Sequence, residues 1–312
     1  MAGQLWSGAN GFMASPTLSN TLRNAVQPLS RFLQFCDTEE ARGKGRGDVH
    51  NWNTYGDTSS DCPITGLDEN AKVPEVSFAE SQGTVTIREF GIAVPFSKKY
   101  DDLSEHPVKT IIQQTLKNSA ARTQDSVAHS QFDTSLLTGT GGGSGAVTVQ
   151  TDGTFSGTAV VMTIAHVKTI ADTMQERNIP VYDGENYVAI MRPTTLRPVL
   201  TELESIHQYT DNGWSRIMNG EKGKYEGIRF VTQTNIASEG YSLGDAAFFF
   251  GGDTITQVIS CPLELRGKIP DDYGRSQGIM WYSLENFALT HNDQTSTETK
   301  NQARVLRWGG TG

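Results

Sequence analysis

The residues whose types could do chemistry are scattered along the chain. Residues 139–145 read GTGGGSG, a glycine run of the kind that cradles phosphate. A phosphate loop ends in Gly-Lys-Ser/Thr and joins a strand to a helix. This run lacks that ending and follows a helix-patterned stretch, so it reads as a flexible connector. No G-x-S-x-G is present, which leaves a nucleophile elbow without support. His50, His106, His129, His166, His207 and His291 stand singly, and none pairs with another at helical metal spacing. Cys36, Cys62 and Cys261 are odd in number, widely spaced and free of any CxxC. Asp57 with Asp61, and Asp271 with Asp272, lack calcium-loop spacing and read as solvated turns. The sequence therefore gives no catalytic residue, no cofactor site and no metal site.

Contact residues stand out more clearly. Arg42, Lys44 and Arg46 form one compact basic group spaced by glycines. They either meet a phosphate or an acidic neighbour, or line a solvated loop. Trp52 and Tyr55 are aromatics on a segment that protrudes, which suggests a protein contact. Residues 57–68, from Asp57 to Asp68, read as the tip of the same protrusion.

The elements that carry these residues follow from periodicity. Residues 107–137 place Val108, Ile111, Ile112, Leu116, Ala120 and Val127 at helical spacing. Ser104 is the expected N-cap and Pro107 suits the first turn. Such a helix has about thirty residues and is roughly 45 Å long. Gln113, Lys117, Asn118, Gln124 and Asp125 fall on its outer face, so it reads as a rod laid along one sheet. Residues 1–40 read as an arm, with a short amphipathic helix from Leu22 to Leu33 broken at Pro28. Residues 48–55 and 83–100 alternate as strands around a long polar insert. That hairpin cannot bury its own faces and is marginal alone. Further helices are expected over 164–177, capped by Thr163, and from Pro193 to about Ser205. Strands are expected over 146–150, 187–191, 226–232, 246–250, 254–260, 263–267 and 278–289. The order lacks a regular βα alternation, so the fold class is α+β and not doubly wound.

Composition narrows the function. The chain has 312 residues, 26 basic and 35 acidic, and a net charge of −9. Tight general binding of nucleic acid needs clustered Lys and Arg, although a protein can enclose nucleic acid without gripping it. The cysteine usage suits a reducing cytoplasm. Residues 1–16 lack a charged n-region and a continuous apolar core, so no signal peptide is expected. No run approaches eighteen apolar residues, so no membrane helix is expected. What remains is an arm, a hairpin without a home and a long helix, parts suited to assembly.

Those parts, in that order, resemble the major capsid proteins of tailed bacteriophages. The likeness is carried by QPLSRFLQF (27–35), GKGRGDVHNW (43–52), REFGIAVPFSKKYDDLS (88–104), the helix that follows, and NGEKGKYEGIRFVTQTN (219–235). It is nearest to the coat protein family of the N4-like phages and thins beyond residue 246. The resemblance implies an HK97-like major capsid fold: N-arm 1–40, E-loop hairpin and supporting strands 41–100, P-domain 101–154 with spine helix 107–137, A-domain 155–245, and return strands to the P-domain with the tail over 246–312. It implies a non-enzymatic coat protein, assembled in the host bacterial cytoplasm, that forms pentamers and hexamers of an icosahedral virion shell around double-stranded DNA. Scaffolding, portal and decoration proteins are the implied partners, with no membrane. Arg42, Lys44, Arg46, Trp52, Tyr55, Asp57 and Asp68 become subunit-interface candidates. The same fold also serves encapsulin compartments, and a soluble hydrolase or transferase with a site built from distant Asp, Glu and His residues is the reading from a different class.

Overall fold

The computed structural model describes residues 31–41, 47–58, 66–67, 69, 72–157, 160–207, 224–236, 246–269, 272–291 and 303–310. After a 3-10 turn at Leu33–Phe35, the elements in chain order are β1 (Asp37–Glu40), β2 (Val49–Thr58), β3 (Phe78–Thr86), β4 (Arg88–Ser97), α1 (Lys98–Leu103), α2 (Val108–Phe132), β5 (Leu137–Gly141) and β6 (Val147–Gln150). Then come α3 (Ile164–Glu176), β7 (Tyr187–Met191), α4 (Pro193–His207), β8 (Lys224–Tyr225), β9 (Ile228–Thr232), β10 (Ala246–Phe250), β11 (Ile255–Gly267), β12 (Ser276–Leu289) and β13 (Val305–Gly309). The strands form a four-stranded sheet β1-β11-β12-β4, a seven-stranded sheet β6-β5-β13-β10-β7-β9-β8 and the two-stranded ribbon β2-β3. This is the expected α+β class.

Helix α2 bridges the two large sheets. Its first half packs Val108, Ile112, Leu116 and Ala120 with Phe96, Tyr100 and Trp281 of the four-stranded sheet side. Beyond Ala120 the buried positions shift to Asp125, Ala128 and Phe132. That five-residue step turns the buried face, because a straight stripe would continue at three or four residues. Ala128 and Phe132 then join the aromatic core on one side of the seven-stranded sheet. Asp125, assigned by spacing to the outer face, is instead fully buried. The helix starts after Pro107, its N-cap, and not after Ser104. Ser104 ends a helix that alternation had merged into a strand: α1, capped by the Ser97 hydroxyl accepting from the Tyr100 N–H.

Strand β10 shows how one run serves two cores. Ala247 and Phe249 face a core shared with α3 and α4, including Val167, Ile170, Met174, Leu196 and Val199. Phe248 and Phe250 face the other core, with Val188, Ile190, Phe132, Phe32 and Phe35. The alternation follows from the two-residue period of a strand. Helix α3 begins with a reciprocal cap: Thr163 accepts from the His166 N–H, and His166 Nδ1 accepts from the Thr163 N–H at 3.1 Å.

The glycine-rich segment departs most from expectation. Residues 137–141 are not a connector but strand β5, buried at every position. Its neighbour β13 is a strand that periodicity did not suggest, and the two run parallel from Leu137↔Leu306 to Thr140↔Gly309. Space explains the glycines. A Cβ on Gly141 would stand 2.4 Å from Val160 Cγ2 and 2.5 Å from Trp308 Cη2. Pairing with β13 also sets where α2 stops: Ser135 Oγ donates to the Val305 carbonyl and Arg307 donates to the Asp133 carbonyl. The helix therefore ends at Phe132, not at 137.

Candidate assembly surfaces

Among the described residues, the ribbon β2–β3 is held to the body at its base. Asn286 Nδ2 donates to the Thr86 carbonyl at 2.7 Å, and His50 Nε2 lies 3.0 Å from Glu39 Oε2 on β1. Trp52 Nε1 donates to the Thr290 carbonyl at 3.4 Å. The Trp52 ring lies across Gly83 of the opposite strand, where a Cβ would come within 2.3 Å of the indole. The glycine thus lets the indole cross the ribbon and reach the body. Trp52 is an anchor within the subunit more than a free contact.

Farther out the ribbon is uncovered. Tyr55 and Phe78 form a cross-strand ring pair 6.3 Å apart, at 64% and 56% exposure. Val73 and Val76, just before β3, are also exposed, as is Val49 at the base of the ribbon. A two-stranded ribbon with exposed aromatics has no core of its own to support it. Of the expected interface residues, Trp52 and Tyr55 are thus on one ribbon, facing different environments. Arg42, Lys44, Arg46 and Asp68 lie outside the described residues, as does the side chain of Asp57.

Further exposed apolar side chains occur along β11, in the connection to β12 and on β4. Leu263, Leu265, Ile269 and Tyr273 are exposed there, with Ile92 on β4. Tyr273 has φ of 55° and its ring stands free of any cover. Nothing in the sequence pattern had marked these positions beyond the strands themselves.

The polar groups beside the glycine-rich loop already have partners. The loop at 142–145 borders an open depression of about 500 Å³ with Thr163, His166 and Glu202. Glu202 Oε2 already accepts the Ile164 N–H at 2.8 Å, and His166 Nε2 is 2.9 Å from the Gly142 carbonyl. A carboxylate occupies the helix start, where an anion would otherwise sit. Among the described residues, no three His, Cys, Asp or Glu side chains are grouped to hold a metal. Burial pushes the Cys36 thiol up to about 12, which keeps it protonated and unreactive.

Polar side chains instead tie elements together. Glu285 on β12 accepts from Gln124, Gln257 and Ser283 at 2.7, 2.7 and 3.0 Å. Asp253 is 2.8 Å from His291 Nε2 and accepts from Arg304 Nη1 at 3.1 Å. The His291 contact holds the Asp253 carboxyl below the usual carboxylate range. At the end of α2, burial pushes His129 down to about 4 and Asp133 up to about 7. Between those values both are neutral, so their 3.6 Å approach is not an ion pair there. These are structural fastenings.

A family of phage capsid proteins matches residues 81–296. The chain belongs to that family. This capsid protein builds the icosahedral head shell, a structural and non-enzymatic role. Its fold is the HK97 type, shared with several solved capsids. The capsid of cyanophage P-SCSP1u is similar at TM-score 0.67 and 12% identity, over 95% of this chain and 92% of that one. The capsid of Ralstonia phage GP4 is similar at 0.67 and 14%, over 96% of each. The head structure of Helicobacter pylori bacteriophage KHP40 gives 0.70 at 9%, over 94% of each. No curated protein matches by sequence.

Proposed function

We propose that this capsid protein closes its shell through pentamers and hexamers, with the β2–β3 ribbon lying over a neighbouring subunit. The exposed Tyr55–Phe78 pair carries this reading. Aromatics of this size bury well against a partner and cost solubility when left in water. In domain terms, residues 1–40 are the arm, 41–100 the extended loop and its supporting strands, and α2 the spine of a peripheral domain that includes the four-stranded sheet. The seven-stranded sheet with α3 and α4 is the axial domain. It takes in β5, β6, β10 and β13, so that domain draws on residues 137–150, 246–250 and the last strand as well as 155–245.

The shell encloses double-stranded DNA without sequence-specific binding, which the net charge of −9 favours. Scaffolding, portal and decoration proteins are its further partners, and the N4-like coat proteins its nearer kin on the quoted segments. Electron microscopy of the purified chain, with scaffolding protein supplied if needed, tests the reading. Shells, tubes or rings of five and six support it. A persistent monomer of about 34 kDa under both conditions overturns it. Removal of residues 57–68 should leave a folded subunit that assembles poorly, and normal shells from that variant would sink the ribbon's assignment.

A further inference from the structure

Asp125 is fully buried in the middle of the molecule, and among the described residues no ion pair reaches it. A buried carboxylate without a cation must be satisfied by neutral donors. Three supply it, from two distant segments. The Phe32 N–H donates to Oδ1 at 2.8 Å. Gln233 Nε2 donates to Oδ2 at 2.7 Å, and Asn235 Nδ2 to the same oxygen at 3.0 Å. Asn235 also reaches Ser126 Oγ at 3.1 Å.

Phe32 belongs to a strap formed by residues 31–36. Its ring, fully buried, sits 4.9 Å from His129, 5.2 Å from Phe132 and 5.6 Å from Phe248. Phe35 packs on Tyr182 and Phe250. The strap thus fills the seam between α2, β7 and β10. Gln233 and Asn235 lie in the segment that leaves β9 and returns to the same seam through buried Ile236. The Gln233 carbonyl oxygen is buried without a partner among the described residues, so Asp125 is what holds that side chain inside.

We propose that Asp125 is a positioning residue that couples the docking of the strap to the docking of residues 233–236. The two segments do not share a hydrogen bond directly. Each fixes one oxygen of the same carboxylate and thereby the orientation offered to the other. If the strap lifts, Oδ1 loses its donor in a buried site, and the carboxylate turns or hydrates. The Gln233 side chain then loses the one hydrogen-bond partner it has among the described residues. By linkage the reverse holds with the same free energy. Resting on the shell reading, this means that a neighbour taking hold of the arm also changes the seam beneath the seven-stranded sheet.

Hydrogen exchange on the unassembled full chain tests the coupling. Gln233→Ala should speed exchange of the amides at 32–36 by about tenfold, and Phe32→Ala should speed those at 233–236 by a similar factor. Asp125→Asn should loosen both, because its amide places a donor against a donor. Amides at 108–120 in α2 serve as the folding control and should keep wild-type protection. Wild-type exchange at 32–36 in a folded Gln233→Ala chain would overturn the proposal, since the segments would then be independent. If Asp125→Asn does not fold, the other two variants still decide. Electron microscopy of the same variants reads assembly separately, so failure to form shells and failure of the coupling are distinguishable.

Discussion

The β2–β3 ribbon and strand β5 are made of opposite material and end in opposite places. The ribbon has the stronger strand pattern, with alternation and aromatics, yet it stands outside the body with Tyr55 and Phe78 exposed. Strand β5 is LTGTG, poor in strand formers and rich in glycine, yet every residue is buried. Strand propensity is mostly fit to neighbours on a pleated surface. The subunit covers the ribbon at its base, where Val85 is buried and Trp52 reaches Thr290, but leaves Tyr55 and Phe78 uncovered farther out. Strand β5 lies beside Leu306, Trp308, Val147 and Val160, whose side chains fill the space its glycines leave.

That contrast can be broken most severely from the buried side. Gly141→Leu should leave no soluble subunit, because the new side chain enters space held by Val160 and Trp308. The cost exceeds the ~1–3 kcal/mol of ordinary overpacking. Soluble yield and circular dichroism check it. Ile112→Asp should act the same way, placing a charge at a position 8% exposed against the four-stranded sheet. A soluble Ile112→Asp chain that assembles would refute the packing of α2.

On the ribbon the effect should separate from stability. Tyr55→Ala with Phe78→Ala should keep subunit stability within about 0.5 kcal/mol, as for surface changes. It should cut shell yield by tenfold or more, as loss of an aromatic anchor at an interface does. Thermal melts beside electron-microscope counts of shells read both quantities. Equal losses of stability and assembly would show that the ribbon supports its own fold.

The last effect is graded with pH and belongs to the body of the subunit alone. Asp133 has a folded value of about 7, above its usual 3.8. The folded chain therefore holds that proton more tightly than the unfolded chain, and stability falls as pH rises from about 4 through 7. Asp133→Asn removes that loss, so its advantage over the wild type should grow from pH 5 to pH 8 and then level off. His129 acts in the opposite sense, since its value of about 4 lies below 6.5 and costs stability as pH falls through that window. The variant keeps that acid-side loss. Melting temperatures at pH 5, 6, 7 and 8 test the trend, and a pH-independent difference would reject it.

Local signals fixed what depends on local period and punctuation. The spacing of Val108, Ile112, Leu116 and Ala120, the Thr163 cap, the Tyr187–Met191 strand and the alternating ribbon were all legible, because helix and strand periods are written in adjacent residues. The arrangement of arm, hairpin and long helix was enough to suggest the fold. Tertiary structure alone decided the rest. Asp125 reads as an outer polar position until the buried face of α2 turns after Ala120, and the step to Ala128 and Phe132 was the one available signal. The glycine strand reads as a connector because its partner β13 lies more than 160 residues away, from Leu137 to Leu306. A residue's burial is set by what arrives from elsewhere in the chain, and no local period records that arrival.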